Sequence, residues 1–328
     1  MIKVIGGSGF IGTRLCERLR RAAIPFKIVD KAQSRAFPEL TVIADVRSLA
    51  ALDAAINDGD VIINLAAEHR DDVTPKSLYD DVNVEGARNI CAIANKKNIK
   101  TIVFTSSVAV YGFAPIGTNE TGRIAPFNDY GRTKFEAEGV FRAWQAESVE
   151  ERSLSIIRPT VVFGEKNRGN VYNLLKQIAS GRFVMIGAGD NRKSIAYVEN
   201  VAAFVQHCLS LPQGVHLSNY IDKPDFSMNH LVTHVNTLLG RGSNVGLRLP
   251  FAVGFGLAKC VDLVAWITRR KFPISSIRVK KFCSNSVYES RISEMGFVPP
   301  VDLETALSNT VRYEFLESHE HEGVFYSE

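Results

Sequence analysis

The chain is poor in several things. Among its 328 residues are five cysteines, four methionines and two tryptophans. Cys16, Cys91, Cys208, Cys260 and Cys283 are scattered with no C-x-x-C pair, which argues against a disulfide scaffold and fits a reducing compartment. No internal repeat or low-complexity tract is present, which excludes a repeat array. Excess charge is also small. There are 39 Lys and Arg against 35 Asp and Glu, and the resulting +4 does not by itself imply nucleic acid. No leader precedes the first strand-like run, so the fold is expected to start at residue 1 and the protein to be cytoplasmic. An unbroken membrane-length apolar run is missing too. The nearest approach, residues 249–271 (LPFAVGFGLAKCVDLVAWITRRK), has Lys259 and Asp262 at its centre. Two such charges cost a spanning helix about 5–7 kcal/mol.

What is present points to a nucleotide. With 45% hydrophobic and 23% charged residues, the chain suits one large soluble domain or two lobes. IKVIG reads as a buried strand, FIGTRLCERLRRA as an amphipathic helix, and Gly6, Gly9 and Gly12 lie at the turn between them. In that context one glycine allows the tight turn, one lets the backbone approach a diphosphate, and one lets the helix pack on the strand. The helix start then offers free N–H groups and a positive dipole end. The next strand, FKIVD, ends in Asp30, whose carboxylate suits a ribose 2′-OH and repels a 2′-phosphate. NAD is therefore favoured over NADP, against the nearby cations Lys31 and Arg35. Strand and helix patterns keep alternating through TVIADV, SLAALDAAI, VIINLAA, a long helix near 77–97 and TIVFTSS, which predicts a doubly wound parallel sheet. Asp45 and Val46 are placed to flank the adenine. Leu65, Ala66 and Ala67 are small enough to let a dinucleotide cross the strand ends, or simply pack there.

DYGRTKFEAEGVFRAW is helical, so Tyr130 and Lys134 share one face. A phenol with a free pKa of about 10 is a poor base unless a cation favours its phenolate. Lys134 supplies that cation. Ser107, at the end of the fifth strand, is placed to hold a substrate hydroxyl and relay its proton to Tyr130.

Taken together, GGSGFIG, Asp30, NLAA, Asn83 in VNVEG, TSSVAVYG, YGRTK and IIRPTVVFG resemble the extended short-chain dehydrogenase/reductase family, over nearly the whole chain. The resemblance implies an α/β fold with a Rossmann-type doubly wound parallel sheet and a smaller α/β substrate-binding lobe. Residues 1–163 plus about 194–221 form the first part, and about 164–193 plus 222–328 the second. It implies Ser107, Tyr130 and Lys134 as the catalytic set, with Lys134 also on the nicotinamide ribose. It adds Phe10, Ile11, Asn83 and Pro159 to the NAD contacts, and implies a homodimer through the helices near 83–97 and 130–147. The family's 4,6-dehydratases carry Asp-Glu beside the catalytic hydroxyl. Here that stretch is Ser107-Val108-Ala109. The reaction expected is therefore C4 epimerisation of a sugar, with NAD regenerated in each cycle.

The second half is less explicit. Arg168, Asn170 and Asn173 lie where similar epimerases hold the sugar diphosphate, although Asn170 also suits a helix cap. Arg192 and Lys193 both fit the position of a diphosphate-binding cation, and the sequence does not choose between them. Arg278 is a third candidate. With AEHRDDVTPKSLYDDVN and SSIRVKKFC, the pattern looks closest to bacterial epimerases of undecaprenyl-diphosphate-linked N-acetylglucosamine, which serve surface polysaccharide (O-antigen) synthesis. The alternatives are a UDP-sugar 4-epimerase and an oxidoreductase on a lipid alcohol. Glu68, His69 and Arg70 either touch the sugar or pair with one another. His230 and His234 resemble a metal pair but have no acidic ligand beside them in sequence, and His319 and His321 lie in the polar tail ESHEHEG, so no metal is expected. In residues 249–271, Phe255, Lys259, Asp262 and Trp266 share a helical face, with the two charges able to pair. Pro250, Gly254 and Gly256 weaken the first part as a helix. The segment is expected either to lie at a membrane surface, with Trp266 and Arg269-Arg270-Lys271 at the headgroups, or to pack as an ordinary helix.

Overall fold

A computed structural model describes residues 1–70, 73–269, 275–319 and 323–326. The first half alternates as its apolar runs demand. Its elements are β1 (Ile2–Ile5), α1 (Phe10–Arg21), β2 (Phe26–Asp30), β3 (Thr41–Ile43), α2 (Leu49–Ala55), β4 (Val61–Asn64), α3 (Ser77–Tyr79), α4 (Gly86–Lys96), β5 (Thr101–Thr105), α5 (Asp129–Ala146) and β6 (Ser153–Pro159). Then come β7 (Val161–Phe163), α6 (Asn170–Ala179), β8 (Met185–Ile186), β9 (Arg192–Tyr197), α7 (Val198–His207), β10 (Gly214–Tyr220), β11 (Asp222–Ser227), α8 (Met228–Leu238), β12 (Arg248–Leu249), α9 (Phe251–Thr268), α10 (Ser276–Cys283) and α11 (Leu303–Phe315).

A seven-stranded sheet runs β10-β6-β5-β4-β1-β2-β3, with every neighbouring pair parallel. Apolar clusters cover both faces, which is why β1 is buried along its whole length. The strand order reverses between β1 and β4, so their C-terminal ends open a crevice of the kind that takes a dinucleotide. A second sheet, β11-β9-β7, carries its own core with α6, α8 and α11. β7 and β9 lie in this smaller sheet, so the seam falls a few residues from the expected 163/164 and 193/194 boundaries.

The expected helix near 77–97 is one helical run with a π-turn over Asp80–Glu85 between α3 and α4. Such a turn carries an extra residue and re-aims what it holds. Here it directs Asn83 inward.

Helix α9 runs unbroken through both glycines. A Cβ on Gly254 would lie 2.6 Å from Ile186 Cγ2, so that glycine lets the helix sit on β8. Ala258 is buried behind it, while Phe251, Val253, Leu257, Leu263, Val264 and Trp266 are exposed. Among the described residues no helix is long and apolar enough to cross a membrane. The expected Lys259–Asp262 pair does not form. Lys259 lies 5.2 Å over the Phe255 ring, and Asp262 accepts the Ser276 N–H, the first of α10, at 3.1 Å. Asp262 therefore joins α9 and α10 into a hairpin. Arg269 follows in the left-handed conformation, and Arg270 and Lys271 lie outside the described residues.

The tail returns to the first helix. Phe325 donates its N–H to the Lys166 carbonyl at 2.8 Å, accepts from Arg168 N at 2.7 Å, and packs its ring 5.8 Å from that of Phe10.

Candidate active site

The crevice is shaped by what its glycines lack. Gly6 has φ +76°, and a Cβ there would meet Ala66 N at 2.6 Å. A Cβ on Gly12 would fall 2.6 Å from Gly7 Cα and 2.7 Å from the Gly6 carbonyl. Gly9 is the N-cap of α1 and has no capping side chain, so the helix start keeps N–H groups for a ligand. Phe10 and Ile11 begin that helix, and both side chains pack inward against the apolar clusters. Asp30 accepts Ser8 N at 3.0 Å and Ala32 N at 3.1 Å, one bond per oxygen. Each carboxylate oxygen retains capacity to accept a ribose hydroxyl. Leu65, Ala66 and Ala67 follow β4, half-buried beside Gly6. Pro159 ends β6 in the sheet interior. This cradle, with an acid at the end of β2, fits NAD.

The two residues expected to flank the adenine each have neighbours within the chain. Asp45 is held by Arg47 at 2.7–3.2 Å, which keeps its carboxyl below the usual range. Val46 is buried, packed where a Cβ on Gly86 would meet it at 2.9 Å.

Ser107 and Tyr130 lie together, and Lys134 follows Tyr130 by one turn of α5. Ser107 caps the turn at 108–111, its Oγ accepting Ala109 N at 3.1 Å, and it lies close enough to the Tyr130 phenol to bear on its charge. Burial pushes the Tyr130 phenol up, and the Ser107 contact partly opposes this. Lys134 is 1% exposed, with its ammonium 4.3 Å over the Phe104 ring. Burial pulls it down to about 7, and the Glu138 carboxylate one turn on pulls the other way. Asn83 acts as a clamp rather than an open ligand. Its Oδ1 accepts Glu68 N at 2.9 Å, and its Nδ2 donates to the Glu68 carbonyl at 3.0 Å and to Thr133 Oγ1 at 2.9 Å. It ties the strand-end loop to the helix that carries Tyr130. Glu68 itself pairs with Arg70 at 3.1 Å, so these two partner each other.

The family follows from the chain's overall match. The model of the NAD dependent epimerase/dehydratase family matches residues 2–219. This chain belongs to that family. It is 47% identical over 329 residues to N-acetyl-alpha-D-glucosaminyl-diphospho-ditrans,octacis-undecaprenol 4-epimerase of Escherichia coli O157:H7, covering 100% of this chain and 99% of the other. UDP-glucose 4-epimerase of Vibrio cholerae is 28% identical over 224 residues, covering 65% and 67%. Among solved structures, UDP-N-acetylglucosamine 4-epimerase from Bacillus cereus superimposes with TM-score 0.74 at 17% identity, covering 94% and 97%, which shows the shared fold.

Sequence reasoning missed the largest feature of this epimerase/dehydratase site. Glu138, 1% exposed, accepts Ser106 Oγ at 2.5 Å and Arg158 Nε and Nη2 at 2.8 and 2.6 Å. Arg158 donates on to Tyr111 Oη at 2.7 Å, and Tyr111 to Asn219 Oδ1 at 2.8 Å. Glu120 Oε1 then accepts both Asn219 N at 2.8 Å and Arg291 N at 3.1 Å. This buried chain joins the neighbour of Ser107, the helix of Lys134 and the segment at 291. A signal existed: Glu138 follows Tyr130 and Lys134 at the same four-residue spacing.

The substrate candidates are less tightly gathered. Arg168 pairs with Glu314 at 2.7 Å and stacks 4.0 Å over Tyr172, so its charge is already partnered. Asn170 is the exposed first residue of α6, whose N-cap is Gly169. Asn173, one turn on, is exposed as well. On β9, Arg192 is exposed and Lys193 points inward, its Nζ donating to the Lys281 carbonyl at 2.8 Å. Burial draws Lys193 down to about 8. Arg278 is exposed on α10, next to the helix's Ser275 cap.

The fold does supply the acid that His230 and His234 lack in sequence. Glu304 of α11 brings its ligand atom within 4.8 Å of both. His234 already has Ser308 Oγ at 2.9 Å on one ring nitrogen and Glu304 at 3.4 Å on the other, an arrangement that joins α8 to α11. His319 stacks on Tyr313 and pairs with Glu317, while His321 lies outside the described residues.

Proposed function

We propose that this chain is a C4 epimerase of N-acetylhexosamine on a diphosphate carrier, interconverting N-acetylglucosamine and N-acetylgalactosamine on undecaprenyl diphosphate for surface polysaccharide such as O-antigen. The observation that carries the substrate is the end-to-end 47% identity with the Escherichia coli O157:H7 protein. The exposed apolar face of α9 agrees with it, because a lipid-borne sugar obliges its enzyme to meet the bilayer. The protein then works as a peripheral membrane enzyme on the cytoplasmic face, dimerised through α4 and α5.

Gly6, Gly9, Gly12 and Asp30 would hold NAD, which when bound supplies a reversible hydride acceptor for C4. Ser107 holds the sugar 4-hydroxyl, and Tyr130 takes its proton. Burial raises the cost of charging Tyr130 and Lys134, so the two charges are best formed side by side, each stabilising the other. Lys134 holds the phenolate, and Glu138 favours the ammonium that does so. Once the sugar has turned its other face, Tyr130 returns the proton and the hydroxyl reappears inverted. No carboxylate stands at 107–109 to expel a neighbouring hydroxyl, so elimination lacks its acid.

The test offers purified enzyme N-acetylglucosamine on undecaprenyl diphosphate and on UDP, and reads the epimer ratio after release of the sugar. Conversion of the lipid-linked form is expected. Conversion of the UDP form alone would move the enzyme to the nucleotide-sugar group, to which the Vibrio cholerae relative belongs by name. Net NADH formation would make it an oxidoreductase.

A further inference from the structure

Two phenylalanines beside the catalytic elements are exposed for no reason of packing. Phe113 closely follows the turn capped by Ser107 and is 74% exposed, and Ile116 beyond it is 67% exposed. Phe127, three residues before Tyr130, is 50% exposed. Their rings pack against each other at 4.9 Å between centroids, tilted by 31°. A solvated loop has no use for such a pair, and contiguous exposed apolar surface marks a contact with something apolar.

The partner of this pair comes from the other lobe. Lys281 of α10 places its ammonium 4.9 Å over the Phe127 ring. Its carbonyl accepts from Lys193 Nζ at 2.8 Å. Among the described residues Lys193 has no carboxylate partner, although burial penalises its charge, and two of its ammonium hydrogens are uncommitted. An anion beside it would restore that charge. The first N–H of the helix bearing Lys281 is held by Asp262 of α9, a helix that exposes Leu257, Leu263 and Trp266. Contact by contact, the ring pair, Lys281, Lys193 and the α9–α10 hairpin thus link the catalytic elements to α9.

We infer that Phe113 and Phe127, with Lys281 and Lys193, form the carrier-recognition site, in which the ammonium groups hold the diphosphate and the two rings hold the first isoprene units. This rests on the lipid-linked reading above and adds the residues that distinguish a polyprenyl from a uridine carrier. Diphosphate and isoprenoid are adjacent in such a carrier, as cation and ring are adjacent here. A uridine would place a polar ribose where the rings lie.

The experiment compares wild type with Phe113→Ser/Phe127→Ser on N-acetylglucosamine diphosphate bearing no isoprene, three isoprenes or the full undecaprenyl chain. In wild type KM should fall at least about tenfold from none to three isoprenes. The double variant should lose that dependence while kcat at saturation, bound NAD and melting temperature hold. Equal chain-length dependence in both proteins would overturn the inference while sparing the lipid reading. Wild-type failure on every isoprenoid substrate would overturn the reading itself. Lys281→Gln should raise KM for all three substrates about equally, because the diphosphate is common to them. No change in that variant would remove Lys281 from the site.

Discussion

Helices α5 and α9 are both 18 residues long, and they break opposite rules. α5 buries charge: Lys134 and Glu138 are each 1% exposed on a helix that also buries Phe141 and Trp144. α9 exposes grease: Trp266 is 77% in solvent, and Leu257 and Leu263 are exposed along the same helix. Ordinary folding gains nothing from either arrangement. Buried ionisable groups raise the cost of folding, and exposed apolar groups leave hydrophobic stabilisation unused. Under the proposed function the contrast separates two jobs. Chemistry needs a charge held out of water, whereas docking needs apolar surface held in it.

Replacing Tyr130 tests the α5 side most severely. Tyr130→Phe should lower turnover about 10²–10⁴-fold while the NAD released on denaturation stays at the wild-type amount. Normal turnover would end the proposed mechanism. Glu138→Gln comes next. It leaves Arg158 charged and buried without its partner, a loss of about 3–5 kcal/mol, visible as a lower melting temperature. Glu138→Gln/Arg158→Met should recover much of that loss, and a double variant no more stable than the single would deny the pair its role. A structural effect alone would leave the pH profile in place, yet it should move. Burial already draws Lys134 down to about 7. Without Glu138 its ammonium is lost at still lower pH, so the alkaline limb of kcat/KM shifts toward acid. The smallest effect belongs to α9. Leu263→Glu/Trp266→Glu should release the protein from anionic phospholipid vesicles in a sedimentation assay, with melting temperature and NAD content unchanged. Unaltered vesicle binding would return α9 to the role of a packing helix.

The two helices also differ in how far they could be read in advance. Tyr130 and Lys134 are legible because a helix converts a spacing of four into a shared face, and Gly6 and Gly12 because the turn between β1 and α1 is local. Glu138 obeys the same spacing, but its role depends on Arg158, which reaches it from a neighbouring strand. The Arg168–Glu314 pair and the approach of Glu304 to His230 and His234 likewise depend on α11, far along the chain. α9 was legible as a peculiarity and no further. Its glycines read as helix breakers until Ile186 is seen beneath Gly254, and its Lys259 and Asp262 read as a pair until α10 claims the aspartate.

The returning tail has a practical side. Phe325 is fastened to the loop at 166–168 and to Phe10, the first residue of the helix that opens the cofactor crevice. Met1 sits at the other end of β1, its ammonium 3.4 Å from Asp60. An affinity tag or fluorescent fusion at the C-terminus would therefore be tethered beside the nucleotide doorway. One at the N-terminus would hang from the opposite edge of the sheet, which makes it the better handle for measuring cofactor content.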